Sequence, residues 1–400
     1  MSFHTTPSSE RIHIGIFGKR NAGKSSLINA LTSQDLAIVS PVKGTTTDPV
    51  LKSMELLPLG PVVLIDTPGL DDEGDLGALR IQKTYQMLRK TDLAVLVTDP
   101  ADGITEEDRQ ILQRILQKQI PYLVVCNKAD LFDSPCFPPE ADKEHCIFVS
   151  AKTGAGIEEL KERLARQIPA SPAQKPIAAD LVHPLDFVIL VVPIDGSAPK
   201  GRLILPQQQT IRDLLKKGAV PVVVRDTELS ETLEKLGRPP ALVITDSQAF
   251  ARVSALVPKE IPLTSFSILF ARYKGNLKQA VLGARTLDLL QEKDRILISE
   301  GCTHHRQCED IGTVKLPGWI RKYTGKEFHF QFTSGTEFPE DLHSYRLIIH
   351  CGGCMLNEQE MRHRLECAKE QNVPMTNYGT AIAHMHGILD RSIEIFHGFL

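Results

Sequence analysis

The sequence predicts an α/β protein in three folded parts, each built around a parallel sheet. Three observations carry that expectation. Short apolar strands alternate with helical stretches along most of the chain, the pattern of βαβ units. The first strand runs straight into a glycine-rich turn of phosphate-binding type. A proline-rich stretch at 169–180 then separates this first part from the remainder. At 400 residues the chain is long enough for two or three domains.

Composition narrows the function classes. Hydrophobic residues make up 42% and charged residues 24%, enough to bury several cores. Net charge is −3 without a basic block, which argues against nucleic acid as the main partner. The 8 cysteines show no dense disulfide spacing. The opening Met1-Ser2-Phe3-His4-Thr5-Thr6 lacks the layout of a signal peptide. The strongest apolar run, Phe187 to Ile194, falls far short of the ~20 residues a membrane span needs. The expectation is a cytoplasmic protein with reduced thiols and no membrane partner.

After a polar tail at 1–10, the first domain spans 11–168. The strand Arg11 to Phe17 leads into Gly18-Lys19-Arg20-Asn21-Ala22-Gly23-Lys24-Ser25, a full match to G-x-x-x-x-G-K-[ST]. Glycines let backbone N–H groups cradle phosphates, Lys24 neutralises the β- and γ-phosphates, and the Ser25 hydroxyl ligates Mg²⁺. The helix that begins near Ser26 points its N-terminus at the anion. Four companion motifs follow in order. Strand Val62 to Ile65 ends in Asp66-Thr67-Pro68-Gly69, where Asp66 suits an indirect hold on Mg²⁺ and the Gly69 N–H suits the γ-phosphate. Gly44-Thr45-Thr46-Thr47-Asp48 offers Thr46 to Mg²⁺. Strand Tyr122 to Cys126 delivers Asn127-Lys128-Ala129-Asp130, and Phe148-Val149 delivers Ser150-Ala151-Lys152. The Asp130 carboxylate accepts two hydrogen bonds that guanine can donate and adenine cannot. The motifs define a GTPase domain in which Lys24, Asn21, Thr46 and Gly69 act on the γ-phosphate.

These motifs resemble the translation-factor-related GTPases of the tRNA-modification and ribosome-assembly groups. That resemblance implies that Asn21 helps hold K⁺ beside the phosphates; the plain alternative is an amide that caps its own loop. Leu70 stands where signalling GTPases carry a water-orienting glutamine, so intrinsic hydrolysis is expected to be slow. Cys126, on an apolar strand, reads as a packed small hydrophobe.

Beyond the linker at 169–180, a second α/β domain at 181–265 is read from the strands Phe187–Val192, Val220–Val224 and Ala241–Thr245 and the helices Gln208–Lys217 and Leu229–Leu236. It carries no catalytic constellation, which suits a dimerisation surface. Asp195 falls at a strand end, where carboxylates can face a ligand; the alternative is a solvated turn aspartate. The third domain, 266–400, shows a helical stretch Leu277–Leu290, then strands Arg295–Ser299, Glu327–Phe332 and Tyr345–Ile349. Its chemistry lies in Cys302-Thr303-His304 and His350-Cys351-Gly352-Gly353-Cys354. Three thiols and two imidazoles following strands of one sheet fit a single metal or iron–sulfur site. Cys308 and Cys367 have no pattern partner and read as structural.

The whole arrangement, a P-loop GTPase domain followed by two smaller α/β domains with parallel sheets and a C-terminal C-x-H…H-C-x-x-C, resembles the HydF family of [FeFe]-hydrogenase maturation GTPases. The resemblance implies a [4Fe–4S] cluster on Cys302, Cys351 and Cys354, with the fourth site open to His304, His350, Asp195 or water. It implies a scaffold that receives a diiron precursor from two radical-SAM maturases and delivers it to apo-[FeFe]-hydrogenase, as a homodimer or higher oligomer. Two other readings of the same residues stand beside it. A Cys₃His zinc site would make the chain a zinc-binding regulatory GTPase of the tRNA-modification or ribosome-assembly type. A redox C-x-x-C would leave Cys302 and both histidines without a role.

Overall fold

The computed structural model describes residues 7–32, 50–67, 83–132, 143–168, 175–193, 203–301, 310–335, 337–353 and 355–396. The chain divides into two compact units, Met1–Ala173 and Gln174–Leu400. No helix among the described residues is long and apolar enough to cross a membrane.

The first unit holds six strands: β1 (Ile12–Phe17), β2 (Val50–Leu56), β3 (Gly60–Asp66), β4 (Leu93–Thr98), β5 (Tyr122–Cys126) and β6 (Cys146–Phe148). They are ordered β2-β3-β1-β4-β5-β6. Only the β2–β3 pair is antiparallel, and it forms one edge. The inner strands are mostly apolar, with His13 and Thr98 the buried exceptions on β1 and β4, because helices cover both faces. On one face Ile14, Ile16, Leu64, Val95 and Val125 pack against Leu27 and Leu31 of the helix Lys24–Thr32 and Leu160 and Leu164 of the helix Ile157–Gln167. On the other, Phe17, Leu96, Val124 and Cys126 meet Ile111, Leu112 and Ile115 of the helix Glu106–Gln117. A reciprocal Thr105/Asp108 capping box starts that last helix.

The second unit contains two four-stranded sheets, both wholly parallel, as the alternation of strands and helices predicts. One has the order β10-β9-β7-β8, from β7 (Phe187–Val191), β8 (Val220–Val224), β9 (Leu242–Thr245) and β10 (Leu263–Ser265). The other has the order β12-β11-β13-β14, from β11 (Arg295–Ser299), β12 (His329–Thr333), β13 (Leu347–His350) and β14 (Met375–Asn377). The helix Leu205–Lys217 stops where expected, at Gly218 in the left-handed region. The helical stretch expected over Leu277–Leu290 is α-helical to Arg285 and tightens to a 3₁₀ turn over Thr286–Leu289.

Two features depart from the sequence reading. Ile177 and Ala178, within the stretch expected to be linker, are buried, and the backbone N–H groups of Ile177, Ala178 and Ala179 all donate to the Asp213 carboxylate. Near the end of the described residues, Leu389, Ile393 and Phe396 pack into the same core as β7, β9 and β10. Proline content suggested exposure for the first segment; burial against a neighbouring sheet is a tertiary effect that composition does not carry. Strands β2, β4, β10 and β14 carry no motif and were absent from the expectation.

Candidate functional site

The nucleotide cradle forms where the chain leaves β1. The strands that follow β1 in the chain, β2 and β3, lie on one side of it and β4 on the other, and ligands sit at such reversals of strand order. Gly18 takes φ +135, and a Cβ there would lie 2.2 Å from the Val97 carbonyl oxygen. Gly23, at φ +91, has the Asn127 amide nitrogen where its Cβ would be. Both positions therefore require glycine, which the phosphate-binding pattern anticipated. Lys24 is buried and folds back over the loop, its Nζ donating to the carbonyls of Gly18 and Lys19, each at 2.8 Å. The Ser25 hydroxyl donates to Asp66 Oδ2 at 2.9 Å, so the two groups expected at Mg²⁺ are already joined. Burial raises the Asp66 carboxyl above its ordinary range, while the Ser25 hydrogen bond and Lys24 pull it back. Ala22 is buried, Ser26 is half-buried and Asn21 is exposed in the left-handed region.

The base-recognition loops are tied to this cradle. Asn127 donates from Nδ2 to the Ala22 carbonyl at 3.0 Å and accepts from the Ala151 N–H at 3.0 Å. The Ser150 hydroxyl donates to Asp130 Oδ1 at 2.6 Å, orienting an exposed carboxylate. Lys128 sits in the left-handed region with its Nζ 2.7 Å from Asp99 Oδ2; Lys152 is exposed. Sequence reasoning missed the loop after β4, whose Asp99 and Asp102 pair with Lys128 and Lys19. Its only signal is acidic residues just beyond an apolar strand. Thr46, Gly69 and Leu70 lie outside the described residues.

The thiol site lies at the end of β11 and β13, the second reversal of this kind: the chain goes from β11 to β12 on one side, then to β13 on the other. Ser299, the last residue of β11, is level with His350, the last of β13. Cys351 therefore leaves the sheet beside the segment that leads to Cys302. Its N–H donates to the Ser299 carbonyl at 2.9 Å. The Cys351 Sγ accepts from the N–H groups of Gly301 at 3.0 Å and Gly353 at 3.4 Å, the latter residue at φ +61. Two amide donors aimed at one sulfur suit a thiolate, the form that binds iron or zinc. Cys302, His304, Cys308, Cys354 and Asp195 lie outside the described residues.

His350, one of the residues expected to be open to metal, is fully buried with both ring nitrogens engaged. Nδ1 is 2.7 Å from the Cys351 carbonyl and Nε2 2.9 Å from Arg364 Nη1. A guanidinium can only donate, so Nε2 accepts and the proton resides on Nδ1. Burial, reinforced by the Arg364 charge, pushes its pKa down to about 3. In this structure His350 thus belongs to the floor of the site, with its two ring nitrogens turned to the Cys351 carbonyl and to Arg364. Further polar groups that the sequence did not single out line this end. Glu300 is buried and accepts from the Tyr378 hydroxyl at 3.1 Å. Burial and Glu300 hold that hydroxyl protonated. Gly312 leaves room for the pair, since a Cβ there would lie 2.4 Å from Glu300 Oε1. Lys274 is buried and donates to the Leu356 carbonyl at 3.0 Å. Cys126 is packed as expected, with the Thr98 hydroxyl 3.6 Å from its sulfur. Cys367 is half-buried 3.6 Å from the His363 ring.

This geometry defines a P-loop GTPase that binds GTP with Mg²⁺ and hydrolyses it, joined to a second α/β unit. Comparison with known proteins agrees for the first part: a 50S ribosome-binding GTPase domain matches residues 13–128. The tRNA modification GTPase MnmE of Chromobacterium violaceum is 37% identical over 180 residues, 45% of this chain and 40% of that protein. MnmE of Nitrosomonas europaea is 40% identical over 158 residues, 39% of this chain and 35% of that protein. The chain thus spans well under half the length of these relatives. Era from Aquifex aeolicus bound to GDP.AlF4- aligns with a TM-score of 0.36 and 22% identity, over 53% of this chain and 92% of that one. The second unit is more particular. Residues 177–275 match the hydrogen maturase F dimerization domain, and residues 278–395 match the hydrogen maturase F tetramerization domain. The chain belongs to the hydrogen maturase F (HydF) family, the hydrogenase-maturation GTPases.

Proposed function

We propose that the chain is an iron–sulfur scaffold that couples GTP hydrolysis to delivery of a diiron precursor to apo-[FeFe]-hydrogenase. Cys302, Cys351 and Cys354 would hold a [4Fe–4S] cluster. The observation that carries this reading is the Cys351 sulfur, poised at a strand reversal and receiving two backbone N–H groups. When bound, the cluster supplies an iron with an open position to which a further ligand can attach. The thiols hold it, and the Gly301 and Gly353 amides offset charge on sulfur. Asp195 follows β7, which is itself flanked by β8 and β9 at a third reversal; with His304 and water it is a candidate for the open position. The precursor would come from two radical-SAM maturases. A homodimer or higher oligomer is supported by the family descriptions of both C-terminal segments. Potassium beside the phosphates is supported by Asn21, which is exposed.

A structural zinc site needs four protein ligands. With His350 turned to Arg364 and the Cys351 carbonyl, His304 is the candidate to complete it. The separating experiment is purification without oxygen followed by metal and sulfide analysis. Equal iron and sulfide with broad visible absorption is expected, and Cys302→Ser should remove most of it. Colourless protein carrying zinc after the same treatment would overturn the cluster assignment.

A further inference from the structure

We propose that Arg364 is the positioning residue of the thiol site, and that its guanidinium sets the environment of the metal centre without touching it. The inference rests on the cluster reading above. Arg364 lies on the helix Glu358–Glu370, which follows the Cys351–Cys354 turn and is capped by Asn357 through the Glu360 N–H. It is the largest fully buried side chain among the described residues, at 0% exposure. Its fork donates to Glu360 Oε1 (Nε, 3.0 Å), Ser299 Oγ (Nη1, 3.2 Å), His350 Nε2 (Nη1, 2.9 Å) and the Gly335 carbonyl (Nη2, 2.7 Å). Glu360 lies on the same helix, and the other three partners sit at the ends of β11 and β13 and just beyond β12. The Thr333 hydroxyl, at the end of β12, donates to the same Ser299 oxygen at 3.0 Å.

One side chain therefore fastens three strand ends to the helix behind the thiols. The line to the metal site is explicit: Arg364 fixes the His350 tautomer, and His350 holds the Cys351 carbonyl. The Cys351 N–H is held in turn by Ser299, a direct partner of Arg364. Stability alone does not explain this choice. A buried Arg–Glu pair contributes about as much as, or less than, apolar residues of the same volume. What it adds is orientation, here of the Cys351 peptide and of the Gly301 and Gly353 amides that reach its sulfur. Hydrogen bonds to sulfur tune an iron–sulfur centre.

The test compares the full chain with the double variant Arg364→Met/Glu360→Met, which removes both charges, and with Arg364→Lys, which keeps the charge and loses the fork. Each is reconstituted without oxygen using ferrous iron and sulfide. Melting temperature and the far-ultraviolet circular dichroism spectrum report the fold, GTP turnover reports the first unit, and all should stay near the parent values in the double variant. The reduced-cluster electron paramagnetic resonance spectrum and the reduction potential should shift, and iron should pass to a chelator about 10–100-fold faster. Arg364→Lys should lie between. A folded double variant with the parent's spectrum, potential and chelation rate overturns the proposal. Should the double variant not fold, Arg364→Lys decides on the same readouts. Should the parent itself take up no cluster, the scaffold reading fails, and alkylation of Cys351 by iodoacetamide in the unloaded chain decides the role of Arg364: faster modification in the variants supports it, and an unchanged rate overturns it.

Discussion

Asn21 shows what one residue of the phosphate loop can contribute beyond the glycines on either side of it. Gly18 and Gly23 are dictated by close contact, since each has a neighbouring atom where a side chain would begin. Asn21 is not: it is exposed in the left-handed region, which asparagine tolerates better than most residues. An exposed amide in this loop is open to a ligand, and we propose that the ligand is K⁺. GTP turnover is therefore expected to rise when Na⁺ is replaced by K⁺, and Asn21→Ala should abolish the difference while GTP binding persists. Equal rates of the parent in the two salts would count against a potassium site. The residues of the cradle were legible because each answers a fixed feature of GTP, a phosphate, a metal ion or a guanine edge. Arg364 and Glu360 were not, because a Glu–Arg pair four apart on a helix reads as a solvated ion pair. Only the fold buries it.

Elements place these residues by one repeated device, the strand end at which the chain reverses its direction of travel across a sheet. The phosphate loop leaves β1 and Cys351 leaves β13 beside β11 at such points. The strands that carry motifs were legible from their apolar runs and boundaries, Tyr122–Cys126, Val220–Val224 and Arg295–Ser299 among them. Short or motif-free strands such as β10 and β14 were not, since three residues carry too little periodicity. Edge strand β8 adds a different kind of information. None of its residues Val220–Val224 is buried, Val223 is 44% exposed, and Leu185 and Leu215 are also exposed. An apolar edge in water calls for a cover, and this segment lies in the region matching the dimerization domain. Val223→Asp should weaken self-association by at least about tenfold, or about 1.4 kcal/mol, read by sedimentation. GTP turnover per chain should not change. Self-association indifferent to this charge would move the contact elsewhere.

At the scale of the whole molecule, the chemistry is divided between the two compact units, with Lys24 and Ser25 in Met1–Ala173 and every candidate cluster ligand in Gln174–Leu400. Each site is closed by hydrogen bonds from its own unit: Ser25 to Asp66, Asn127 to Ala22, and Cys351 to Gly301 and Ser299. We propose that each site assembles without the other. A nucleotide switch acts by ordering loops around the γ-phosphate and releasing them after hydrolysis, so its influence on the thiol site would be conformational. Lys24→Ala should then lower GTP turnover by about 10²-fold or more, leave iron and sulfide content intact, and impair maturation of hydrogenase in a full reconstitution. Cys351→Ser should strip or weaken the cluster while GTP hydrolysis continues at the parent rate. Iron content and GTP turnover measured on both variants decide the matter. Loss of GTP hydrolysis in a folded Cys351→Ser protein would mean that the thiol site is part of the GTPase mechanism, and the division into two chemically self-sufficient units would have to be given up.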